Sequence, residues 1–220
     1  MHKLDNVFYD RAGVVAVARD LLGKVLVTEF GGRRTSGRIV ETEAYNGVGD
    51  RASHAWSGRR TRRTEVMYGA GGTAYVYLIY GIHHLFNVVT NKKDIPHAVL
   101  VRALEPMEGI EVMRERLGRG TLRDGGVKEG LRDGGGERVD YSLTRGPGNL
   151  ARALGLRTVH TGLSLMGDEI WIGDDGYRPK RSEIIAGPRI GVDYAGVDAG
   201  LPYRFYIKGS PYVSGPKTKR

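Results

Sequence analysis

Residues 37–45 read Gly-Arg-Ile-Val-Glu-Thr-Glu-Ala-Tyr (GRIVETEAY). They follow a second stretch of strand character, Val25–Phe30, across the turn signal Gly31-Gly32-Arg33-Arg34. Two such runs joined by a short glycine-containing link predict an antiparallel hairpin. Side chains alternate along a strand, so Glu41, Glu43 and Tyr45 fall on one face. Upstream, Asp10–Leu22 predicts a helix, with Val14, Val15, Ala18, Leu21 and Leu22 on one side, Asp10 as N-cap and Gly23 as terminator. Downstream, Thr73–Ile79, Leu85–Thr90 and Ala98–Leu104 read as strands, and Pro106–Leu117 and Gly148–Leu156 as helices. Short strands are expected at Glu169–Ile172, Arg189–Val192 and Arg204–Ile207. Strands come in runs rather than alternating with helices, which predicts an α+β domain around a largely antiparallel, barrel-like sheet.

The chain has 220 residues, 40% hydrophobic and 27% charged, enough for one good core, and no linker divides it. One domain over 1–220 is therefore expected. Residues 118–140 hold eight glycines and the near-repeat Leu-Arg-Asp-Gly-Gly at 122–126 and 131–135, which reads as a mobile surface insertion. Residues 215–220 end in a basic tail expected to fray. Lys and Arg outnumber Asp and Glu by 34 to 25, a net charge of +9, and the pI is near 9.8. An excess of that size favours a polyanionic partner. No apolar run is long enough to span a bilayer and no charged-then-apolar leader is seen, so no membrane partner is expected. The absence of cysteine removes thiolate chemistry and Cys-based metal sites, and fits a cytoplasmic location.

Lone carboxylates are mostly exposed, so a solvated strand face is the ordinary reading of Glu41 and Glu43. Two of them leading through Tyr45 into a glycine-rich loop weaken that reading. The loop, 46–71, lacks periodicity and carries His54 and the basic run Arg59, Arg60, Arg62 and Arg63, either a solvated loop or a set of phosphate contacts. Tyr75, Tyr77 and Tyr80 crowd one predicted strand. Tyr75 is expected in the core, whereas Tyr77 and Tyr80 suit stacking on bases or wedging into a duplex. A carboxylate framed by rings suits an enzyme that holds a planar base and attacks its bond to a sugar. Two rivals stand beside it: a metal-dependent nuclease using Glu41, Glu43, Asp50 and His54, and a non-catalytic nucleic-acid binder. The histidines His83, His84 and His97 match no metal-ligand spacing.

Several blocks, in order along almost the whole chain, resemble the alkyladenine (3-methyladenine) DNA glycosylase family. They include FYDRAGVVAVARDLLGKVLV at 8–27, GRIVETEAYNG at 37–47, SHAWSGRRTRR at 53–63 and YVYLIYGIHHLFNVV at 75–89. VRALEPMEG at 101–109, GPGNLARALGL at 146–156, PRIGVDYAG at 188–196 and LPYRFYIKGSPYVS at 201–214 continue the match. The resemblance implies a compact mixed domain with a curved antiparallel sheet and flanking helices. It also implies a monomeric, cofactor-free, monofunctional glycosylase that flips damaged purines out of double-stranded DNA. By the same resemblance Glu43 would activate water with Arg102 near it, and Tyr45, His54 and Tyr77 would sandwich the base. Asn87 would exclude bases bearing an extra exocyclic group, and Tyr80 would fill the vacated stack. Residues 118–140 match no segment of the family pattern. Lys24, Lys92 and Lys93 are available for Schiff-base chemistry, but nothing in the sequence places them beside Glu43.

Overall fold

The computed structural model describes residues 1–119 and 139–216. Apart from its two positions at each end, the insertion expected at 118–140 lies outside the described residues, as does Lys217–Arg220. In chain order the elements are β1 (His2–Lys3), α1 (Asn6–Tyr9), α2 (Val14–Asp20), β2 (Val25–Phe30) and β3 (Arg33–Tyr45). Three single-turn 3-10 helices cross the loop that follows. Then come β4 (Ala74–Ile79), β5 (His83–Thr90), β6 (His97–Glu108) and α3 (Ile110–Arg116). After the undescribed stretch, α4 (Pro147–Ala153), β7 (Ile170–Asp174), β8 (Ile184–Gly187) and β9 (Arg204–Ile207) complete the chain.

The fold is α+β, built on one curved antiparallel sheet in the order β1-β7-β2-β3-β6-β5-β4. The long strand β3 is its axis. Its first half pairs with β2, and its end, Glu41–Glu43, pairs along the same edge with β9, which carries β8. β6 runs along the opposite edge of β3 with three register shifts, one between Ser36 and Gly37 and two offsetting bulges further along. Val40 is the extra residue on β3 and Arg102 the extra residue on β6, so the register is lost and regained within a few residues. Bulges bend a strand and re-aim its side chains. Here Ile39 and Thr42, three apart, both turn to the core side, and so do Val101 and Leu104.

The sheet thereby separates two chemistries. Its inner face, with Ala44, Val76, Phe86, Val88 and Val99, packs against Val14, Val17 and Ala18 of α2 and Leu150 and Ala151 of α4. Thr42 Oγ1 ties the sheet to α2 by donating to the Ala18 carbonyl at 2.8 Å. The other face carries Glu41, Glu43, Tyr45, Tyr75, Tyr77, Asn87 and Arg102.

Four local expectations need correction. The first helix starts at Val14 after Gly13, while Asp10 closes α1 instead of capping α2. β3 begins at Arg33, leaving a tight Gly31-Gly32 link. β6 runs on to Glu108 because its end pairs with Ser36–Arg38, so the following helix begins only at Ile110. Pro106 is tolerated there because β5 borders β6 only at His97–Leu100. Arg189–Val192 is not a strand; β8 lies before it, and the Ile190 amide reaches Glu43 while Ile190, Gly191 and Val192 line the site cavity.

Candidate active site

Glu43 is fully buried. Its Oε1 accepts the Ile190 backbone N–H at 2.8 Å and lies 3.2 Å from Arg102 Nη1. Its Oε2 accepts the Tyr45 hydroxyl at 2.9 Å. Glu41, also fully buried, holds Arg102 Nε at 3.1 Å and Arg204 Nε at 2.7 Å, and accepts the Ser214 N–H at 2.7 Å. The ordinary reading, a solvated carboxylate face, does not hold: both side chains are buried. Charges leave water only when paired and hydrogen-bonded, and two guanidiniums and two backbone amides meet that requirement. Arg102 bridges the two carboxylates from the apex of its bulge.

Above this pair opens a cavity of about 550 Å³. Tyr45, His54, Tyr75, Tyr77, Asn87 and Arg102 line it, with Tyr80 and His83 at the hairpin end. Glu43 itself does not line it. The Ile190 and Tyr45 donors and the ion-paired Arg102 do, so the carboxylate sits beneath a floor made of its own polar partners. Burial, and secondarily Glu43, push the Tyr45 hydroxyl well above the usual phenol range, so it remains a donor.

The aromatic wall is braced by ring contacts and hydrogen bonds. His54 meets Tyr77 edge to face at 4.7 Å between centroids, and Tyr75 lies 5.4 Å from Tyr77. His54 Nδ1 is 2.8 Å from the Tyr75 hydroxyl and Nε2 is 3.3 Å from Arg63 Nη2. An arginine can only donate, which assigns the proton of the neutral ring to Nδ1. Burial, reinforced by Arg63 and Arg59, lowers the His54 pKa to about 4. The ring is therefore uncharged at neutral pH. Tyr75 is in the core as expected, packed with Ala55, Met67 and Val89, yet its hydroxyl also orients His54.

Asn87 lies opposite Tyr75 and Leu100 in the sheet and donates through Nδ2 to the Tyr75 and Leu85 carbonyls at 3.2 and 3.4 Å. Tyr80 caps the β4–β5 hairpin, 85% exposed, with φ of 53° followed by Gly81 at 72°. A non-glycine residue held left-handed at a loop tip is strained, and such strain collects at functional positions.

The basic run divides. Arg60 is committed to Glu65 and Asp94, and Arg63 lies over the Tyr77 ring at 4.9 Å, while Arg59 and Arg62 are exposed. The ligand set of the nuclease reading does not assemble. Glu41 is held by arginines, His54 by Tyr75 and Arg63, and Asp50 by a bidentate pair with buried Arg189. Among the described residues no group of three His, Asp or Glu is gathered as a metal site. Lys24 is buried against Asp174 at 2.8 Å, and Lys92 and Lys93 are exposed.

Arg189 and the Ile190 amide escaped the sequence reading. Arg189 lies over the Tyr45 ring at 4.9 Å, also donates to the Ala44 carbonyl, and fixes Asp50, which accepts from the Asn46 and Ala52 amides. It locks the loop to the strand end. Nothing local marks it, since an arginine in a Pro-Arg-Ile-Gly stretch reads as surface, and a backbone donor has no sequence signature.

The methylpurine-DNA glycosylase (MPG) family model matches residues 7–211. A Clostridium acetobutylicum protein is 46% identical over 212 residues, covering 96% of this chain and 97% of its own length. A Desulfitobacterium hafniense protein is 42% identical over 214 residues, covering 97% and 99%. Both bear the name "Putative 3-methyladenine DNA glycosylase". Among the described residues, no helix is long and apolar enough to cross a membrane.

Proposed function

The chain belongs to the methylpurine-DNA glycosylase family, and from that premise we propose that it excises alkylated or deaminated purines from duplex DNA through a water activated by Glu43. The observation that carries the mechanism is the buried Glu43–Arg102 pair directly under an aromatic cavity of about 550 Å³. Of roughly four acceptor positions on a carboxylate, the Ile190 amide and the Tyr45 hydroxyl fill two, and Arg102 Nη1 pairs with Oε1 at 3.2 Å. The second acceptor position of Oε2 holds the attacking water in this reading. Glu43 takes the proton of that water while its charge stabilises the oxocarbenium-like sugar left as the base departs.

The rings select the base. Tyr45, His54 and Tyr77 offer electron-rich faces to a cationic alkylpurine, each contact contributing about 0.5–2 kcal/mol. A neutral His54 matters here, because a protonated ring would repel that cation. Poorly paired lesions also cost less to extrude. Tyr80 enters the gap from the hairpin tip.

Single-turnover cleavage of duplexes carrying hypoxanthine or ethenoadenine, with chelator present, tests this directly. Wild type should form abasic sites, and Glu43→Gln should be slower by about 10²–10⁴-fold with DNA binding retained. Equal rates for the two proteins would remove Glu43 from the mechanism. Strand breaks abolished by chelator would restore the nuclease reading.

A further inference from the structure

A second cavity, about 840 Å³, lies beside the first and shares His83, Gly148 and Asn149 with it. The dividing wall is thin: a Cβ added at Gly148 would come within 3.0 Å of His83 Nδ1. Arg116, Arg152 and Arg157 line this groove together with His83, His84 and His160. No aspartate or glutamate among the described residues lines it. Arg152 Nε donates to the Arg116 carbonyl at 2.7 Å, and Arg116 Nη1 reaches the Ala153 carbonyl at 3.1 Å, so these two guanidiniums are held by neutral oxygens. Among the described residues no carboxylate forms an ion pair with either of them or with exposed Arg157. This contrasts with Arg60 in the run at 59–63, which two carboxylates already engage.

The β4–β5 hairpin separates the two cavities. Its tip, Tyr80-Gly81-Ile82, is exposed, with Tyr80 on the aromatic cavity and Ile82 on the basic groove. We propose that this groove holds the sugar-phosphate backbone of the duplex beyond the hairpin tip, so that DNA straddles the hairpin with the damaged base on one side and Arg116, Arg152 and Arg157 clamping phosphates on the other. A groove lined by cations and, among the described residues, by no anion, adjoining the base cavity across the hairpin, fits a polyanion that passes over from one to the other. The proposal rests on the glycosylase reading for the orientation of the DNA.

The test is equilibrium binding of the full chain to lesion-free duplex across a salt series. Arg152→Gln with Arg157→Gln removes two exposed charges and should lower the slope of log K against log salt by about 1.8, at about 0.9 per phosphate contact. The corresponding pair of lysine substitutions should restore most of that slope. A control pair outside the groove, Arg181→Gln with Lys208→Gln, removes the same charge and should leave the slope near that of wild type. An unchanged slope in the groove pair, or an equal loss in the control pair, overturns the proposal. Because lesion-free DNA is used, the outcome is separable from excision. A wild type that excises nothing while the groove pair loses slope would sink the glycosylase reading and leave a DNA-binding groove.

Discussion

Glu41 is enclosed by Arg102, Arg204 and the Ser214 amide, and Arg102 in turn touches Glu43. Each of these side chains is tolerable in the interior only because the others are present. Replacing Glu41 with Gln leaves Arg204 without its carboxylate and Arg102 with Glu43 alone. Breaking a buried pair in this way costs about 3–5 kcal/mol. We expect Glu41→Gln to lower the urea midpoint accordingly, with an unchanged slope. A midpoint equal to wild type would mean that the cluster contributes no net stability. The presence of two acidic residues at 41 and 43 was legible in the sequence, but their burial was not. Apart from the Tyr45 hydroxyl, the partners come from positions 102, 190, 204 and 214, which no local pattern connects to the strand.

The hairpin of β4 and β5 shows the same division at the scale of an element. Its strands follow from their β-branched and aromatic residues, and its turn from Gly81. The left-handed backbone of Tyr80 does not, because asparagine or glycine would suit φ of 53° far better. Tyr80 packs against little, being 85% exposed, so its backbone strain is not repaid within the protein. Tyr80→Asn should therefore raise stability by about 0.5–1 kcal/mol while weakening binding to lesion-containing duplex. Thermal melts and binding isotherms on the same two proteins check both halves. A variant that melts lower, or binds as tightly as wild type, would count against a wedge held under strain. The bulges at Val40 and Arg102 were likewise hidden. A period-two pattern places Ile39 with Glu41, and only the pairing of β3 with β6 reveals the extra residues that turn Ile39 inward.

At the scale of the whole molecule, acid is the informative perturbant. The pKa of His54 falls from 6.5 in the open chain to about 4 in the folded protein, chiefly through burial. Below pH 6.5 the unfolded state therefore binds the proton first, and stability declines until pH passes about 4. His97 and His160 are lowered by burial too and act in the same direction. Wild type should lose melting temperature faster than His54→Gln between these limits, and the two profiles should run parallel above pH 7. Parallel curves throughout would show that His54 is not held neutral by the fold.

By itself the sequence determined the class of fold, most of the strands, the basic balance and the run of motif blocks that carry the family. All of these are written in local order: period-two alternation, turn glycines, charge counts and contiguous words such as ETEAY and YVYLIYG. The tertiary structure alone decided that Glu41 and Glu43 are buried, that Arg189 clamps the loop through Asp50, and that Ile190 supplies a backbone donor. It also decided that Arg60 is committed while Arg116, Arg152 and Arg157 gather in one groove. The physical reason is common to all of these. A charge or donor acquires its role from partners distant along the chain, and those meet only when the bulged sheet brings its strands and the 189–192 segment together.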